Sequence, residues 1–238
     1  MVERRIAIIP ARGGSKRIPR KNIVDFFGKP LMAWSIDAAL QSGCFSRVLV
    51  STDDEEIAST AVSHGASAPF LRTEFADDHT PVSEATLSSL QQAEAHWNET
   101  YTTVVQLLPS CPLRNAADIQ QAMAAFERSN APFQVSCFKF GWMNPWWAAK
   151  LDTSGRPTRL FPESATTRSQ DLGDLYCPTG AVWIGRPEAL KAERSFYGRG
   201  HVFEPIHWTS SVDIDEEDDI EMARAVWLMR HGRSLQDA

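Results

Sequence analysis

Two kinds of hydrophobic pattern alternate along the chain. Five short runs are apolar on both faces, as expected of buried strands: 6–9, 47–50, 103–108, 133–138 and 180–184. Five further segments carry apolar residues at the spacing of a helix: 30–42, 53–64, 83–97, 117–128 and 217–229. Strands that alternate with helices are typical of a parallel sheet covered on both faces. The pattern therefore predicts an α/β fold, a three-layer sandwich with a mainly parallel sheet.

The segment 139–179 departs from this alternation. It is rich in Trp, Pro, Arg and Ser, and it has no clear helical or strand period. We expect a single domain over 1–238, within which 139–179 forms an insertion, a lid or a dimerisation region at the carboxyl edge of the sheet.

Composition excludes several classes of protein. The 238 residues are 43% hydrophobic and 23% charged, so the chain can bury a core and is neither collagen-like nor disordered. No apolar run reaches the roughly 20 residues that cross a bilayer, and the apolar segment before Pro10 is too short for a signal peptide. We therefore expect a cytoplasmic protein with no membrane partner. The four cysteines lie far apart, which predicts reduced thiols and no zinc site: Cys44, Cys111, Cys137 and Cys177.

Charge is distributed unevenly along the sequence. The formal net charge of -6 argues against general binding of nucleic acid. Residues 1–30 nevertheless hold eight Lys or Arg against two acids, whereas 213–221 holds seven acids and no base. The amino-terminal segment should therefore attract anions, and the acidic segment should attract cations.

Residues 10–22 follow the first predicted strand, where an open α/β sheet usually binds phosphate. Gly13 and Gly14 should let consecutive backbone N–H groups turn toward an anion, and Ser15 adds a hydroxyl donor. Five basic side chains should surround them: Arg12, Lys16, Arg17, Arg20 and Lys21. The loop lacks the Walker and dinucleotide-binding glycine patterns, so neither of those nucleotide folds is favoured. We interpret it as a triphosphate loop, with a solvated surface turn as the alternative.

Asp213 and Asp215 flank Ile214 just before the last predicted helix. In an extended segment this alternation turns Ile214 inward and both carboxylates to one face. Mg²⁺ commonly binds one or two carboxylates together with substrate phosphates and water. The pair therefore predicts a magnesium site. The alternative is a solvated acidic run at a helix start, which is our interpretation of residues 216–219.

The sequence Ile-Ile-Pro-Ala-Arg-Gly-Gly-Ser-Lys-Arg-Ile-Pro-Arg-Lys-Asn at 8–22 resembles the opening motif of the CMP-sialic acid synthetases, the acylneuraminate cytidylyltransferase family. Further motifs resemble those of the family and occur in its order: 50–54, 71–72 with 76–80, 108–114, 168–171, 176–184 and 212–215. The resemblance spans nearly the whole chain and is to the bacterial nonulosonic acid type.

This resemblance implies a fold like that of nucleotide-sugar transferases and a homodimer. It also implies a reaction in which CTP is joined to a nine-carbon α-keto acid sugar, a sialic, legionaminic or pseudaminic acid, with release of pyrophosphate. No histidine has a spacing that nominates it as the base, so the proton acceptor stays open between the acidic pair and a metal-bound hydroxide.

The resemblance assigns roles to individual residues. Arg12 and Lys21 should hold the triphosphate and, with Asp215, carry the catalysis. Asp213 and Asp215 should bind Mg²⁺. The nucleotide should also contact residues of the loop and, near the cytidine, Asn22 and Arg72: Ala11, Gly13, Gly14, Ser15, Asn22 and Arg72. A guanidinium fork suits the carboxylate of the sugar, which should contact three residues: Arg168, Gln170 and Ser110.

Two positions depart from the sialic acid enzymes. This chain has Leu108 where they commonly carry Gln, and Thr179 where they commonly carry Asn. The motifs at 76–80 and 168–171 look more like those of enzymes for pseudaminic or legionaminic acid. Three tryptophans of the insertion could stack on a sugar ring, line a dimer interface or pack in a core: Trp142, Trp146 and Trp147.

Three alternative functions are also compatible with the motifs. A synthetase for the eight-carbon sugar Kdo is a near relative, but the region 168–184 resembles it less. A metal-dependent glycosyltransferase also uses an Asp-x-Asp pair, but it binds a finished nucleotide sugar and releases no pyrophosphate. A non-catalytic CTP-binding protein would bind nucleotide without turnover. The basic loop favours a triphosphate, and the retained acidic pair disfavours a protein without activity.

Overall fold

A central β-sheet carries the helices of the computed structural model, which describes residues 4–74, 80–141 and 143–232. Within these ranges the strands are β1 (Arg5–Pro10), β2 (Asp25–Phe26), β3 (Lys29–Pro30), β4 (Arg47–Ser51), β5 (Thr103–Gln106), β6 (Phe133–Lys139), β7 (Ala149–Leu151), β8 (Pro157–Arg159), β9 (Tyr176–Gly185) and β10 (Val202–Pro205). The helices are α1 (Leu31–Ser42), α2 (Glu55–Ser63), α3 (Val82–Trp97), α4 (Ala116–Ser129), α5 (Pro187–Glu193) and α6 (Glu217–His231). None of these helices is both long and apolar enough to span a bilayer.

The central sheet has the strand order β10, β6, β9, β5, β1, β4. β1 runs parallel to both β4 and β5, and β10 runs parallel to β6. β9 is antiparallel to its two neighbours, β5 and β6. The sheet is therefore mainly parallel, as predicted. The antiparallel strand was not anticipated, and it is the one that the chain enters from the irregular insertion instead of from a crossover helix.

Helices cover both faces of the sheet. α1, α2 and α4 pack on one face, in a core that includes Ala7 and Ile9 of β1. α3 and Leu190 of α5 pack on the opposite face, with Ile6 and Ile8. The four central residues of β1, 6–9, are fully buried, as the predicted two-sided apolar run requires. The predicted three-layer α/β sandwich is confirmed.

A third apolar cluster joins segments from the two ends of the chain. It contains Ile18 of the basic loop and Ile214 of the acidic segment, which are 5% and 0% exposed. Ile220, Ala223 and Val226 of α6 belong to the same cluster. Full burial of an isoleucine side chain contributes about 1.5–3 kcal/mol. Apolar packing therefore helps to hold the two charged segments side by side.

Turn and cap residues set the ends of the predicted helices. α1 ends at Gly43, whose φ of 64° is readily adopted by glycine. α4 begins with a reciprocal capping box between Asn115 and Asp118. α5 and β10 were not predicted, because α5 has only seven residues and β10 is an edge strand without a two-sided apolar run.

The insertion contains the hairpin of β7 and β8 and several short 3-10 turns. Trp146 packs within it, donating from its indole N–H to the Gly173 carbonyl at 2.8 Å and contacting the Phe161 ring edge-on. Trp147 is 41% exposed, and Trp142 lies outside the described residues. Of the three predicted roles for these tryptophans, local packing is the one that Trp146 takes within this chain.

Asp54 links the start of α2 to the basic loop. Its carboxylate accepts from the Ile57 N–H at 3.0 Å, which caps the helix, and it forms an ion pair with Arg20. The Arg20 hydrogen bond and the Ile57 N–H lower the pKa of Asp54. The carboxylate is therefore stabilised in its charged form in the folded protein.

We predict that Asp54→Ala lowers the free energy of unfolding at neutral pH by about 1 kcal/mol, because it removes the cap. Asp54→Asn keeps a capping oxygen but loses the charge. Because the folded pKa lies below the ordinary value of 3.8, the charge-dependent stabilisation is complete above that value and is lost as the pH falls through the lowered pKa. Urea denaturation should therefore show a gap between wild type and Asp54→Asn that shrinks in acid; a gap independent of pH would contradict this.

Candidate active site

A cavity of about 370 Å³ opens at the carboxyl ends of β1 and β5. The loop after β1, the turn after β5, the start of α3 and the acidic segment before α6 supply most of its lining. Five basic side chains and two carboxylates line it within the described ranges: Arg12, Lys16, Arg17, Lys21, Arg72, Asp213 and Asp215. The structure thus brings the basic loop and the acidic pair to one cavity, with an excess of positive charge that suits a polyphosphate.

Arg20 does not share this orientation with the other loop cations. Its backbone is left-handed, with a φ of 56°, and its side chain forms ion pairs with Asp54 and Glu56. The loops after the neighbouring strands β1 and β4 meet here, so the acids at the start of α2 attract Arg20 away from the cavity. The expectation that all five basic residues surround an anion is therefore wrong for Arg20.

Gly13 and Gly14 do not form the predicted anion nest. The Gly13 N–H donates to Asp53 Oδ1 at 2.9 Å, so it is not a free donor here, and neither glycine has a positive φ. A Cβ at Gly13 would lie 2.9 Å from Asp54 Oδ2 and 3.0 Å from Asp54 Cβ. A Cβ at Gly14 would meet no heavy atom within 4 Å. Gly13 is therefore required for the close approach of the loop to Asp54, and contact of Gly13 and Gly14 with a nucleotide stays a prediction.

The acidic pair meets the basic loop at Lys21. Lys21 Nζ donates to the Ile214 carbonyl at 2.7 Å and to Asp215 Oδ1 at 3.2 Å. Arg17 forms a second ion pair with Asp215, at 2.8 Å. Two cations of the loop therefore compensate one carboxylate at the junction of the two segments.

Asp213 has different surroundings from Asp215. It is exposed toward the cavity that it lines, yet the protein packed around its carboxyl raises the pKa by burial, and Asp215 adds to the shift. The Ser110 hydroxyl and the Lys21 ammonium oppose that shift. Both carboxylates line the same cavity and Ile214 is fully buried, as the alternation in the sequence predicts.

Arg72 is a buried cation on the cavity wall. It is only 4% exposed, and its Nε and Nη1 atoms have no hydrogen-bond partner among the residues that the structure describes. Burial lowers its pKa, Asp53 favours the charged form, and Arg12 adds to the lowering. Buried donors are normally satisfied, so Arg72 has two nitrogens that a ligand in the cavity could engage.

Four further predicted site residues divide into two groups. Ser15, Asn22 and Ser110 line the cavity. The Asn22 side chain donates to the Arg12 carbonyl at 2.8 Å, which fixes the backbone of the loop. Ala11 is fully buried and does not reach the cavity, because its N–H is directed to the Ser51 carbonyl at 2.8 Å.

Arg168 and Gln170 lie in the insertion and do not line this cavity. Arg168 pairs with Asp171 at 2.8 Å, and its side chain is 71% exposed. Gln170 lines a second cavity, of about 320 Å³, formed within the insertion. The structure does not bring these two residues to the acidic pair, and their contact with a sugar stays a prediction.

Sequence reasoning missed part of the lining. Thr80, Val82 and Ala85, at the start of α3, complete the cavity but were not predicted as site residues. Small and apolar side chains of a helix carry no chemical signature, and the available hint was the motif at 76–80. Residues 75–79 lie outside the described ranges.

Leu108 forms part of the cavity wall and packs against Gly180 of β9. A Cβ at Gly180 would lie 2.2 Å from Leu108 Cδ1, which is far inside van der Waals contact. Gly180 is therefore needed so that β9 can approach the turn after β5.

Asp213 and Asp215 are the carboxylates that could hold a metal ion at this cavity. No group of three or more His, Cys, Asp or Glu side chains in the part of the chain that the structure describes is arranged to bind a metal. Mg²⁺ needs few protein ligands, since phosphates and water complete its shell. The donor set thus fits a magnesium ion shared with a polyphosphate.

The four cysteines are free. Burial raises the pKa of the Cys111 thiol and raises that of Cys137 to about 11. Thiols in such surroundings stay protonated and unreactive. None of the four cysteines lines the cavity.

Comparison with known proteins supports a common family. A family model described as cytidylyltransferase matches residues 6–176. The pseudaminic acid cytidylyltransferase of Campylobacter jejuni strain 81-176 is 36% identical over 95% of this chain and 97% of its own length. The CMP-N,N'-diacetyllegionaminic acid synthase of Legionella pneumophila is 34% identical, over 90% of this chain and 92% of that protein.

A solved structure has the same fold. The CMP-2-keto-3-deoxy-manno-octonic acid synthetase in complex with CTP superimposes with a TM-score of 0.72. It covers 96% of this chain and all of that chain at 17% identity, so the likeness concerns the fold alone.

We predict that Gly13→Ala and Gly14→Ala differ in thermal stability. The added methyl at 13 meets an Asp54 side chain that is held by its cap and by Arg20, so the melting temperature should fall by about 3–10 °C. The same change at 14 enters open space and should alter the melting temperature by less than about 2 °C. Calorimetry of both variants measures this, and equal losses would contradict the assigned contact.

Proposed function

The chain belongs to the cytidylyltransferase family, and we propose that it joins CTP to a nine-carbon α-keto acid sugar to give the CMP-sugar and pyrophosphate. The observation that carries the proposal is the one cavity shared by the basic loop and the acidic pair. Two relatives support the proposal, since their names describe enzymes that act on such sugars. They are 36% and 34% identical to this chain over most of its length.

Pseudaminic acid is the sugar that we propose first. The match to a pseudaminic acid cytidylyltransferase, at 36% sequence identity, extends over 95% of this chain. Leu108 also lines the cavity and gives it an apolar wall, where sialic acid enzymes commonly carry a polar Gln. Legionaminic and sialic acids are the other members of the same substrate class.

The triphosphate would bind along the basic loop. Arg12, Lys16 and Lys21 line the cavity, and each cation close to a phosphate oxygen contributes up to about 4 kcal/mol at an effective dielectric near 20, before desolvation is subtracted. Arg72 would donate from its two unpartnered nitrogens to the nucleotide. Asn22 would act by holding the Arg12 backbone in place.

In the proposed reaction the anomeric hydroxyl of the sugar attacks the α-phosphorus of CTP in line, and pyrophosphate leaves on the opposite side. Alignment of two bound reactants can lower the barrier by about 7–11 kcal/mol. Lys21 and Arg12 would stabilise the charge that develops on the leaving pyrophosphate. Among the described residues that line the cavity, Asp213 and Asp215 are the groups able to accept the proton of the attacking hydroxyl.

We propose Asp213 and Asp215 as the residues that hold Mg²⁺. A bound magnesium ion would neutralise phosphate charge and polarise the α-phosphate. Lys21 and Arg17 pair with Asp215 in this structure, so these cations would exchange that carboxylate for phosphate oxygens when the nucleotide binds.

The alternative functions have less support. The structural likeness to a Kdo-type synthetase comes with 17% identity and concerns the fold alone. A glycosyltransferase or a non-catalytic CTP-binding protein would not account for identity of 34–36% with synthetases over 90–95% of the chain.

We also propose a cytoplasmic homodimer. Large apolar side chains of the insertion are exposed, which supports contact with a second copy of the chain: Met143, Trp147, Leu151 and Leu160. Such contact would also offer Arg168 and Gln170 a route to a bound sugar, because neither lines the cavity of its own chain. Use of CTP suits the cytoplasm.

The first test of the proposed function is pyrophosphate release with CTP, Mg²⁺ and a panel of pseudaminic, legionaminic, sialic and Kdo sugars. We expect the highest kcat/KM with pseudaminic acid and a one-to-one yield of CMP-sugar. Preference for sialic acid would correct the sugar, and pyrophosphate release with none of the four would contradict the function.

The second test concerns the acidic pair. Asp215→Asn should lower kcat by at least about 100-fold, because it removes a charge that organises the reacting phosphates. Asp218→Asn changes an exposed carboxylate in the first turn of α6 and serves as the matched control. Rates measured at saturating CTP and sugar, with Mg²⁺ varied, distinguish the two; a wild-type rate in Asp215→Asn would exclude this carboxylate from the metal site.

A further inference from the structure

Arg114 is a buried guanidinium that does not line the cavity. It is 2% exposed, and no described residue forms a hydrogen bond with its Nε or Nη2 atom. Burial lowers its pKa to about 10, while Cys111, Asp118 and Asp213 favour its charged form. A buried charge with so few close partners is costly, and an apolar side chain of similar volume often stabilises a fold as well or better. A charged side chain at this buried position therefore points to a purpose other than stability.

The contacts of Arg114 hold the turn that follows β5. Its Nη1 donates to the Ala181 carbonyl at 2.6 Å and to the Leu108 carbonyl at 3.3 Å. The Leu108 carbonyl also accepts from the Ser35 hydroxyl at 3.2 Å, and the Leu108 N–H donates to the Gly180 carbonyl at 3.2 Å. Arg114 thus ties the start of this turn to β9.

The same turn holds the acidic segment. The Ile214 N–H donates to the Ser110 carbonyl at 2.8 Å, between the two aspartates. The Ser110 hydroxyl faces the Asp213 carboxyl and favours its charged form. The position of Ser110 therefore sets where Asp213 and Asp215 stand on the cavity wall.

We propose that Arg114 is a positioning residue that holds the turn 108–110 and, through Ser110, fixes the acidic pair at the cavity. The inference rests on the proposed function for the role of the acidic pair, but the structural link from Arg114 to Ile214 can be tested without turnover.

The structural test uses three variants. Arg114→Met removes the charge and both hydrogen bonds at similar length. Arg114→Lys keeps a positive charge and one donor group. Gln134→Met is the matched control, because Gln134 is 1% exposed, donates to one backbone carbonyl, that of Ala122, and lines neither cavity.

Hydrogen exchange of the peptide 212–216 measures the Ile214 contact directly. In Arg114→Met we expect its exchange to accelerate by about tenfold or more, with β1 and β4 unchanged. Arg114→Lys should restore part of the protection, and Gln134→Met should leave it at the wild-type level. Unchanged protection of 212–216 in a folded Arg114→Met protein overturns the inference. If Arg114→Met does not fold, unchanged protection in Arg114→Lys overturns it instead.

The kinetic test separates positioning from general destabilisation. In Arg114→Met, kcat should fall by about 10–100-fold, and the Mg²⁺ concentration that gives half the maximal rate should rise by about tenfold. The KM for the sugar should stay within about threefold of wild type. A lower melting temperature with normal Mg²⁺ dependence would make Arg114 a structural residue only. If the wild type shows no turnover, the proposed function fails, and hydrogen exchange still decides the inference about Arg114.

Discussion

The site depends on the packing that brings two charged segments, from opposite ends of the chain, into one place. Lys21 binds the Ile214 carbonyl across 193 positions of sequence, and Ile18 and Ile214 share an apolar cluster with α6. Salt does not screen apolar burial, whereas it weakens exposed ion pairs. The isoleucines therefore bring the two segments together, and the ion pairs between cations and carboxylates orient the segments relative to each other.

Much of the architecture could be predicted because it is encoded locally. The run at 6–9 is apolar on both faces and becomes a buried central strand, and the alternation around Ile214 places Asp213 and Asp215 at one cavity. Arg20 could not be predicted from its neighbours, because its partner Asp54 lies 34 residues away. Thr80, Val82 and Ala85 were missed for a different reason, since their shape and not their chemistry places them at the cavity. Arg168 was identified by resemblance alone, and it forms an ion pair with Asp171, also in the insertion.

Two buried arginines differ in their relation to the cavity. Arg72 lines the cavity with two unpartnered nitrogens, so a ligand can repay part of the cost of its burial. Arg114 lies behind the turn after β5 and does not line the cavity. Its hydrogen bonds act on the protein backbone instead. One guanidinium is thus placed to contact a ligand and the other to hold the backbone, although each arginine follows a leucine in the sequence.

The close contact between Gly180 and Leu108 limits how this cavity can diverge among descendants of the chain. No side chain can be added to β9 at 180 while a leucine stands opposite, because the two would interpenetrate. If Leu108 is first replaced by a smaller residue, the space opposite 180 becomes free, and a side chain can then be added there. The order of the two substitutions therefore matters. A new sugar preference that needs a larger side chain at 180 would first require a smaller residue at 108, and the intermediate protein would have an enlarged cavity.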